Sequence, residues 1–211
     1  MITHSLNRRI LVIDDNHAIH ADFRKILAQP DGNASLREAR ASLLDDDALA
    51  PPPERFEVDC ADQGQIGFAM VREALQRDQP YAVAFVDMRM PPGWDGAETI
   101  EHIWQVDPDI QIVICTAYSD HSWRTIIERL KHSEKLLILR KPFDNIEVWQ
   151  LANSLTQRWH LAQRAKRQLD ELVALQEERA ADEEKAIHHL ELQAALGNGS
   201  ADHESHKKTL P

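Results

Sequence analysis

Short runs of apolar residues alternate with segments of helical spacing along the first two thirds of the chain. Five of these runs predict strands, at Ile10–Ile13, Phe56–Ala61, Tyr81–Asp87, Ile110–Ala117 and within Lys135–Phe143. Apolar residues recur at helical spacing over His17–Leu27, Gly64–Arg77, Ala97–Gln105 and Ser122–Leu130. The apolar strands are typical of a sheet that is buried on both faces. The pattern therefore predicts an α/β fold with a doubly wound, five-stranded parallel sheet.

A much longer helical pattern follows the fifth strand. No Gly or Pro occurs between Phe143 and Gly197, which predicts one helix of roughly 75 Å at about 1.5 Å per residue. One heptad frame places Leu155, Ala162, Leu169 and Gln176 at a, places Arg158, Ala165 and Leu172 at d, and brings Arg179 and Glu183 into the same seam. The frame predicts a coiled coil that forms a homodimer, and a charged surface helix is the alternative.

These patterns divide the chain into three parts. Residues 1–153 form the predicted α/β domain, residues 154–196 a helical coiled-coil extension, and residues 197–211 a disordered tail. A segment of about residues 30–55 interrupts the first part, and within it Ser35–Ala50 is predicted to form an amphipathic helix that ends at three prolines. Six acidic and two basic residues lie between Asp31 and Glu54. The segment is therefore interpreted as a solvated acidic insertion, and its role stays open.

Composition excludes several classes of function for the 211 residues. A net charge of −11 argues against a nucleic-acid-binding surface. No run approaches the roughly 20 apolar residues of a membrane span, and the amino-terminal MITHSLNRR lacks the apolar core of a signal peptide, so a cytoplasmic protein is expected. Cys60 and Cys115 lie in apolar contexts and are predicted to be reduced residues of the core.

Polar side chains stand at four of the predicted strand ends. Asp14 and Asp15 follow the first strand, and Asp87, Thr116 and Lys141 end the third, fourth and fifth. For the aspartate pair alone, a Mg²⁺ site competes with the simpler interpretation that the second aspartate caps the next helix. The carboxyl ends of parallel strands meet at one edge of a sheet, where ligands bind. The whole set therefore favours a functional site.

The chemistry suited to this set is phosphoryl transfer onto a carboxylate. Asp87 can act as a nucleophile and form an acyl phosphate. Asp14 and Asp15 would hold Mg²⁺ beside it, Lys141 would supply a second positive charge, and the Thr116 hydroxyl would donate to a phosphoryl oxygen. Such a transfer depends mainly on positioning and on compensation of charge.

At these residues the chain resembles the response-regulator receiver domain of bacterial two-component signalling, which has a flavodoxin-like fold. The matching pieces are VIDDN, FVDMRMP, ICTA and RKPF, and the resemblance covers about residues 7–153 apart from the insertion. It implies that a histidine kinase or phosphotransfer protein phosphorylates Asp87. It also implies that Asp15 binds Mg²⁺ (or Mn²⁺) directly and Asp14 largely through water, with Asp87 and the backbone carbonyl of Arg89 as further ligands.

The resemblance also assigns residues around the phosphoryl group, and some of them depart from the family. It implies phosphate-binding and switch positions at Thr116, Ala117 and Lys141, and a cis peptide bond at Lys141–Pro142. Ile138 stands where the family usually has an aromatic switch residue, and Tyr118 is the nearest substitute. Arg89 and Tyr118 match positions that flank the path of the attacking water, so we expect them to slow hydrolysis of the phosphoryl group.

The predicted function is therefore a phosphoacceptor signalling module, not an enzyme, that relays its state through protein contacts and a dimerising helix. The matching subgroup usually carries an output domain after the long helix, and no output motif is recognised here. One alternative is a phosphorylation-independent dimerisation scaffold of the same fold. Another is a phosphatase of the haloacid-dehalogenase kind, whose Asp-x-Asp pattern Asp14-Asp15-Asn16 does not supply. The cognate kinase, the signal and the target are not encoded in any recognisable motif.

Overall fold

Five parallel strands form the core of the part of the chain that the structure describes. The computed structural model describes residues 6–28, 55–117, 130 and 135–198. The strands stand in the order β2-β1-β3-β4-β5 and comprise β1 (Arg9–Ile13), β2 (Glu57–Ala61), β3 (Val83–Asp87), β4 (Gln111–Ala117) and β5 (Leu136–Lys141). The predicted doubly wound parallel sheet is confirmed.

Four helices accompany the sheet within these ranges: α1 (His17–Leu27), α2 (Gly64–Gln76), α3 (Gly96–Val106) and α4 (Asn145–Asn198). All four correspond to predicted helices, and their ends lie within two residues of the predicted ends. The predicted insertion helix Ser35–Ala50, most of the predicted helix Ser122–Leu130, the residue Tyr118 and residues 199–211 of the predicted tail lie outside the described residues.

Two apolar clusters cover the two faces of the sheet. On one face, alternate strand residues such as Leu11 and Ile112 pack against Val71 of α2 and Ile100 of α3. On the other face, strand residues such as Phe85 pack against α1 and against the beginning of α4. Because successive strand side chains point to opposite faces, a strand buried on both sides has to be apolar at every position. The uninterrupted apolar runs of the sequence meet this requirement.

The amino ends of the strands carry a polar network of their own. The Arg9 guanidinium lies over the Tyr81 ring, with 4.4 Å between the guanidinium carbon and the ring centroid. Arg9 Nη2 donates to Asp59 Oδ2 at 3.0 Å, and the Tyr81 hydroxyl donates to the same oxygen at 2.7 Å. Arg9 Nε also lies 3.7 Å from Glu57 Oε2, and the Glu57 side chain is 75% exposed. One guanidinium thus pairs with two carboxylates, of which Asp59 is the closer.

The helix α4 spans 54 residues, as its uninterrupted pattern predicted. Leu155, assigned above to the first a position of a dimer seam, is only 3% exposed and packs in the second apolar cluster. That assignment is wrong, because a side chain that covers the sheet cannot also enter a seam. The chain divides into two units, residues 1–162 and 163–211. The predicted domain boundary after residue 153 stays a prediction.

Candidate functional site

The end of β1 is fixed by backbone pairing and by a helix cap. The Asp14 N–H donates to the Ala61 carbonyl at 3.0 Å, and Asp14 Oδ1 accepts from the Asn16 N–H at 2.9 Å. The Asn16 side chain caps α1 by accepting from the Ala18 N–H at 2.9 Å. The interpretation of Asp15 as the cap is therefore wrong, because its neighbour has that role.

Lys141 joins the carboxylates of two different strands. Its Nζ donates to Asp14 Oδ2 at 2.6 Å and to Asp87 Oδ1 at 2.8 Å. The second Asp87 oxygen accepts from the Arg89 N–H at 3.3 Å. Strands β1 and β3 are neighbours although β2 lies between them in sequence, so this edge is the topological switch point of the sheet. The fold thereby unites residues that lie 54 and 127 positions apart.

Asp15 completes a cluster of three carboxylates at this edge. One oxygen each from Asp14, Asp15 and Asp87 lies within 4.8 Å of the other two. Asp14 and Asp87 are 2% and 9% exposed, while Asp15 is exposed. Three carboxylates around one ammonium leave this end of the sheet short of positive charge. Closely spaced carboxylate oxygens suit a hard divalent cation such as Mg²⁺, so the residues present fit the metal that the sequence predicted.

Burial and pairing shift the pKa values of the central groups. Burial raises the pKa of Asp87, although the hydrogen bond and charge of Lys141 oppose the shift. Burial alone would lower the pKa of Lys141, but its hydrogen bonds to Asp14 and Asp87 outweigh that effect and leave the pKa raised. Lys141 is therefore held as a cation, and Asp87 pays a desolvation cost for its charge.

The remaining predicted residues surround this centre. Thr116 is buried near the end of β4, and its hydroxyl donates to the Ala117 carbonyl at 3.3 Å. Ala117 pairs in register with Lys141, and Ile138 is 41% exposed on β5. Arg89 is exposed, and its carbonyl stays a predicted metal ligand. The Lys141–Pro142 peptide bond is cis, as the resemblance implied.

The loop that follows Asp87 is held by contacts that the sequence did not predict. The Pro91–Pro92 bond is also cis, and the Gly93 N–H donates to the Met90 carbonyl at 3.1 Å, which closes a tight turn. Gln63 Nε2 donates to the Pro91 carbonyl at 3.3 Å and ties this loop to the start of α2. A Cβ at Gly93 would collide with the Gln63 amide oxygen. Gly93 was the sign of a close contact in the sequence, but no motif identified Gln63 as the residue that it contacts.

Helix α3 begins directly against the phosphoacceptor candidate. A Cβ at Gly96 would lie 2.5 Å from the Asp87 carbonyl oxygen and 2.9 Å from the Met88 Cα. The Gly96 N–H donates to the Met88 carbonyl at 3.2 Å, and Asp95 caps the helix by accepting from the Glu98 N–H at 2.7 Å. Only glycine allows this approach, and the contact holds the end of β3 in place.

Comparisons with known proteins identify the fold. No family model matches the chain, and no curated protein matches it either. A solved structure described as an adenylate cyclase from Rhodopirellula baltica is 21% identical, with 78% of this chain and 98% of that chain covered and a TM-score of 0.56. A response regulator receiver domain protein from Methanospirillum hungatei is 18% identical, with 75% and 99% covered and a TM-score of 0.51.

A third similar structure is the receiver domain of AraT, a response regulator from Geobacillus stearothermophilus. It is 19% identical, with 74% of this chain and 98% of that chain covered and a TM-score of 0.51. The chain therefore has the receiver-domain fold, followed by the long helix α4. None of the described helices is long and apolar enough to cross a membrane.

Proposed function

We propose that the chain is a response-regulator receiver that accepts a phosphoryl group on Asp87 in a Mg²⁺-dependent reaction. The observation that carries this proposal is the meeting of Asp87, Asp14 and Lys141 at the switch point, with hydrogen bonds of 2.6 and 2.8 Å. Asp15 adds the third carboxylate of the cluster. We place the module in signalling rather than metabolism, with a histidine kinase or phosphotransfer protein as the phosphoryl donor.

In the proposed step, an Asp87 carboxylate oxygen attacks the phosphorus of a phosphohistidine. The new O–P bond forms as the P–N bond breaks, and the imidazole leaves with the electron pair of the broken bond and takes up a proton. Lys141 already contacts Asp87 Oδ1, so its ammonium stands beside the developing acyl phosphate. Thr116 is assigned to a phosphoryl oxygen as a hydrogen-bond donor, and the backbone at Ala117 lines the same edge.

Mg²⁺ would be held by Asp14, Asp15 and Asp87, with the Arg89 carbonyl as a further ligand. When bound, it supplies the positive charge that the three carboxylates lack and offsets repulsion between Asp87 and an incoming phosphoryl group. Asp15 contributes as an exposed carboxylate, while Asp14 is positioned by the backbone of Asn16. Lys141 keeps the two buried carboxylates at a fixed spacing.

The output of the module is assigned to protein contacts and to a homodimer formed through α4. Beyond its packed beginning, this helix exposes leucines, including Leu161, Leu169 and Leu172, each at least 60% exposed. A row of exposed apolar side chains on a helix indicates a surface that binds another protein. A phosphorylation-independent scaffold would form the same dimer. It would differ only in that Asp87 accepts no phosphoryl group.

Intact mass after incubation with acetyl phosphate tests the proposal. We expect one added phosphoryl group that requires Mg²⁺ and is lost in Asp87→Asn. A matched control is Asp59→Asn, which removes a carboxylate at the opposite end of the sheet and should keep the adduct. No adduct in the unchanged chain with Mg²⁺ would overturn phosphoryl acceptance and favour the scaffold.

A further inference from the structure

Four exposed apolar residues of α4 lie in one short stretch, while Ile146, Leu161 and Ile187 are exposed elsewhere on the helix. Leu169 and Leu172 are 61% and 60% exposed, and Val173 and Leu175 beside them are 46% and 45% exposed. In the heptad frame, the first two occupy a and d, and the other two flank them at e and g. Either orientation of a second copy would bury this stretch, so the apolar residues alone do not decide how two helices pair.

The polar residues of the same seam do discriminate between orientations. In a parallel pair each seam residue faces its own equivalent, so Arg158 would face Arg158, Arg179 would face Arg179, and Glu183 would face Glu183. Gln176 would likewise meet itself beside the leucines. Like charges that face each other across an interface oppose association. A parallel seam would therefore contain three such repulsive levels within one helical extension.

An antiparallel pair that sets Leu169 opposite Leu172 of the second copy removes every one of these conflicts. Arg158 then faces Glu183 of the second copy. The long side chains of Gln176 and Arg179 face the small Ala165 and Ala162, which leave room for them. A shift of one heptad sets Leu169 against Arg179 and Leu172 against Gln176, which buries polar groups against leucine. The opposite shift sets both leucines against alanines, Ala165 and Ala162, and loses the contact between leucines.

The charge of the whole segment supports the same register. Residues 157–168 contain four basic and no acidic residues. The residues that would lie opposite them in the second copy, 173–184, contain five acidic residues and one basic residue. A segment of net charge +4 thus meets one of net charge −4 in the antiparallel register. Complementary potentials of this kind fix the orientation and register of a complex.

From these observations we infer that α4 pairs with α4 of a second copy in antiparallel orientation, with Leu169 opposite Leu172. The inference rests on the proposed dimerisation and adds its geometry. In this arrangement the amino-terminal end of each α4 lies beside the carboxyl-terminal end of the other.

Distances between spin labels on the outer face of the helix test the orientation. Ala174→Cys and Ala181→Cys, made separately in the full chain with Cys60→Ser, occupy equivalent f positions that point away from the seam. In the antiparallel register the two labels of the first variant are offset along the axis by about 10 Å, and those of the second by about 31 Å. A parallel pair has no axial offset at either site.

We expect the Ala181→Cys distance to exceed the Ala174→Cys distance clearly. Equal distances would overturn the antiparallel arrangement, and the absence of any intermolecular distance at high protein concentration would overturn the pairing itself. The Cys60→Ser background without an introduced cysteine measures label at Cys115, which is buried. The acetyl phosphate adduct is measured on the same samples, so loss of pairing and loss of phosphoryl acceptance are read separately.

Exchange of charged residues provides a second test, which leaves the apolar residues of the seam unchanged. In the proposed register, Arg158→Glu or Glu183→Arg alone creates like-charged pairs, and we expect dimer dissociation constants roughly tenfold higher by sedimentation. The double variant restores opposite charges and should return near to the original value. Glu184→Arg, one position off the seam, is the matched control. Failure of the double variant to recover would contradict the register.

Discussion

Each end of the sheet carries a cation that pairs with carboxylates, but the carboxylates of the two ends differ in burial. At the amino ends, one cation, Arg9, pairs closely with Asp59 and more distantly with Glu57. At the carboxyl ends, one cation, Lys141, meets the buried carboxylates of Asp14 and Asp87. The side chains of both cations are 22% exposed, whereas the side chain of Asp59 is 45% exposed and that of Asp14 only 2%. The carboxylates of the first network are half-exposed or exposed, whereas two carboxylates of the second are buried beside a single ammonium.

This difference distinguishes a network that only stabilises the fold from a candidate functional site. At the amino ends the Tyr81 hydroxyl and the Arg9 guanidinium satisfy one Asp59 oxygen, so a further cation gains little there. At the carboxyl ends the buried Asp14 and Asp87 share one ammonium, and the exposed Asp15 adds a third negative charge. The proposed binding of Mg²⁺ and of a phosphoryl group rests on this excess of carboxylates beside Asp87.

Removal of the cation at each end should give the largest contrast. Lys141→Met leaves two buried carboxylates without their ammonium, and we expect a loss of about 3 to 5 kcal/mol in the free energy of unfolding. Arg9→Met removes an equally exposed cation from a half-exposed carboxylate, and about 1 kcal/mol or less is expected. Urea denaturation of both variants in EDTA at pH 7 measures the difference. Equal losses would mean that the two ends do not differ.

Metal addition should sharpen the comparison. With free Mg²⁺ at about 100 times its dissociation constant, the unchanged chain should gain about 2.7 kcal/mol of stability. Asp15→Asn should lose most of that gain, because it removes a carboxylate of the cluster. Asp62→Asn, an exposed aspartate after the neighbouring strand β2, is the matched control and should respond like the unchanged chain. A full Mg²⁺ response in Asp15→Asn would exclude this cluster as the metal site.

At the amino ends, Tyr81→Phe should cost about 1 kcal/mol through the hydrogen bond lost to Asp59. Burial, assisted by Asp59, raises the Tyr81 pKa above its ordinary value of 10.0. The folded state therefore holds this proton more tightly than the unfolded chain. The hydroxyl stabilises the fold fully below about pH 10 and loses that effect as the pH rises further. Tyr81→Phe has no hydroxyl to ionise. Its free energy of unfolding should therefore fall less between neutral and alkaline pH than that of the unchanged chain.

The smallest expected effect is a gain in stability from Asp87→Asn. Burial raises the Asp87 pKa above its ordinary value of 3.8, so the folded state binds this proton more tightly than the unfolded state. Ionisation of Asp87 therefore costs stability as the pH rises from about 3.8 through the folded-state pKa. In EDTA, the variant should melt higher than the unchanged chain at pH 7, and the gain should shrink towards pH 3. A lower melting temperature at pH 7 would contradict this sign.

The sequence predicted which side chains meet at the carboxyl ends because their meeting follows from sheet geometry, and the roles of these side chains stay predictions. Apolar runs mark the strands, parallel order aligns their carboxyl ends, and Asp14, Asp87 and Lys141 follow directly. The sequence could not predict the network of Arg9, Asp59 and Tyr81 as readily. Its members occupy strand positions without a motif, and their pairing depends on the strand register.

Other misses have local causes. Asp15 was the predicted cap of α1, but the neighbouring Asn16 has that role, because its side chain accepts from the Ala18 N–H. Leu155 fits a heptad and also fits a core-facing helix stripe, because the two periods coincide over a few turns. The link between Gln63 and Pro91 joins residues 28 positions apart through an amide. No spacing rule identifies such a contact.

The position of the phosphoryl group tests the central claim most directly. After reaction with acetyl phosphate and Mg²⁺, borohydride reduction converts an aspartyl phosphate to homoserine, which peptide mass spectrometry can locate. The charge deficit at the carboxyl ends predicts homoserine at position 87 and at no other aspartate, including Asp14, Asp15 and Asp59. Homoserine at another aspartate, or an unreduced chain despite a stable fold with bound Mg²⁺, would contradict the assignment of Asp87 as the phosphoacceptor.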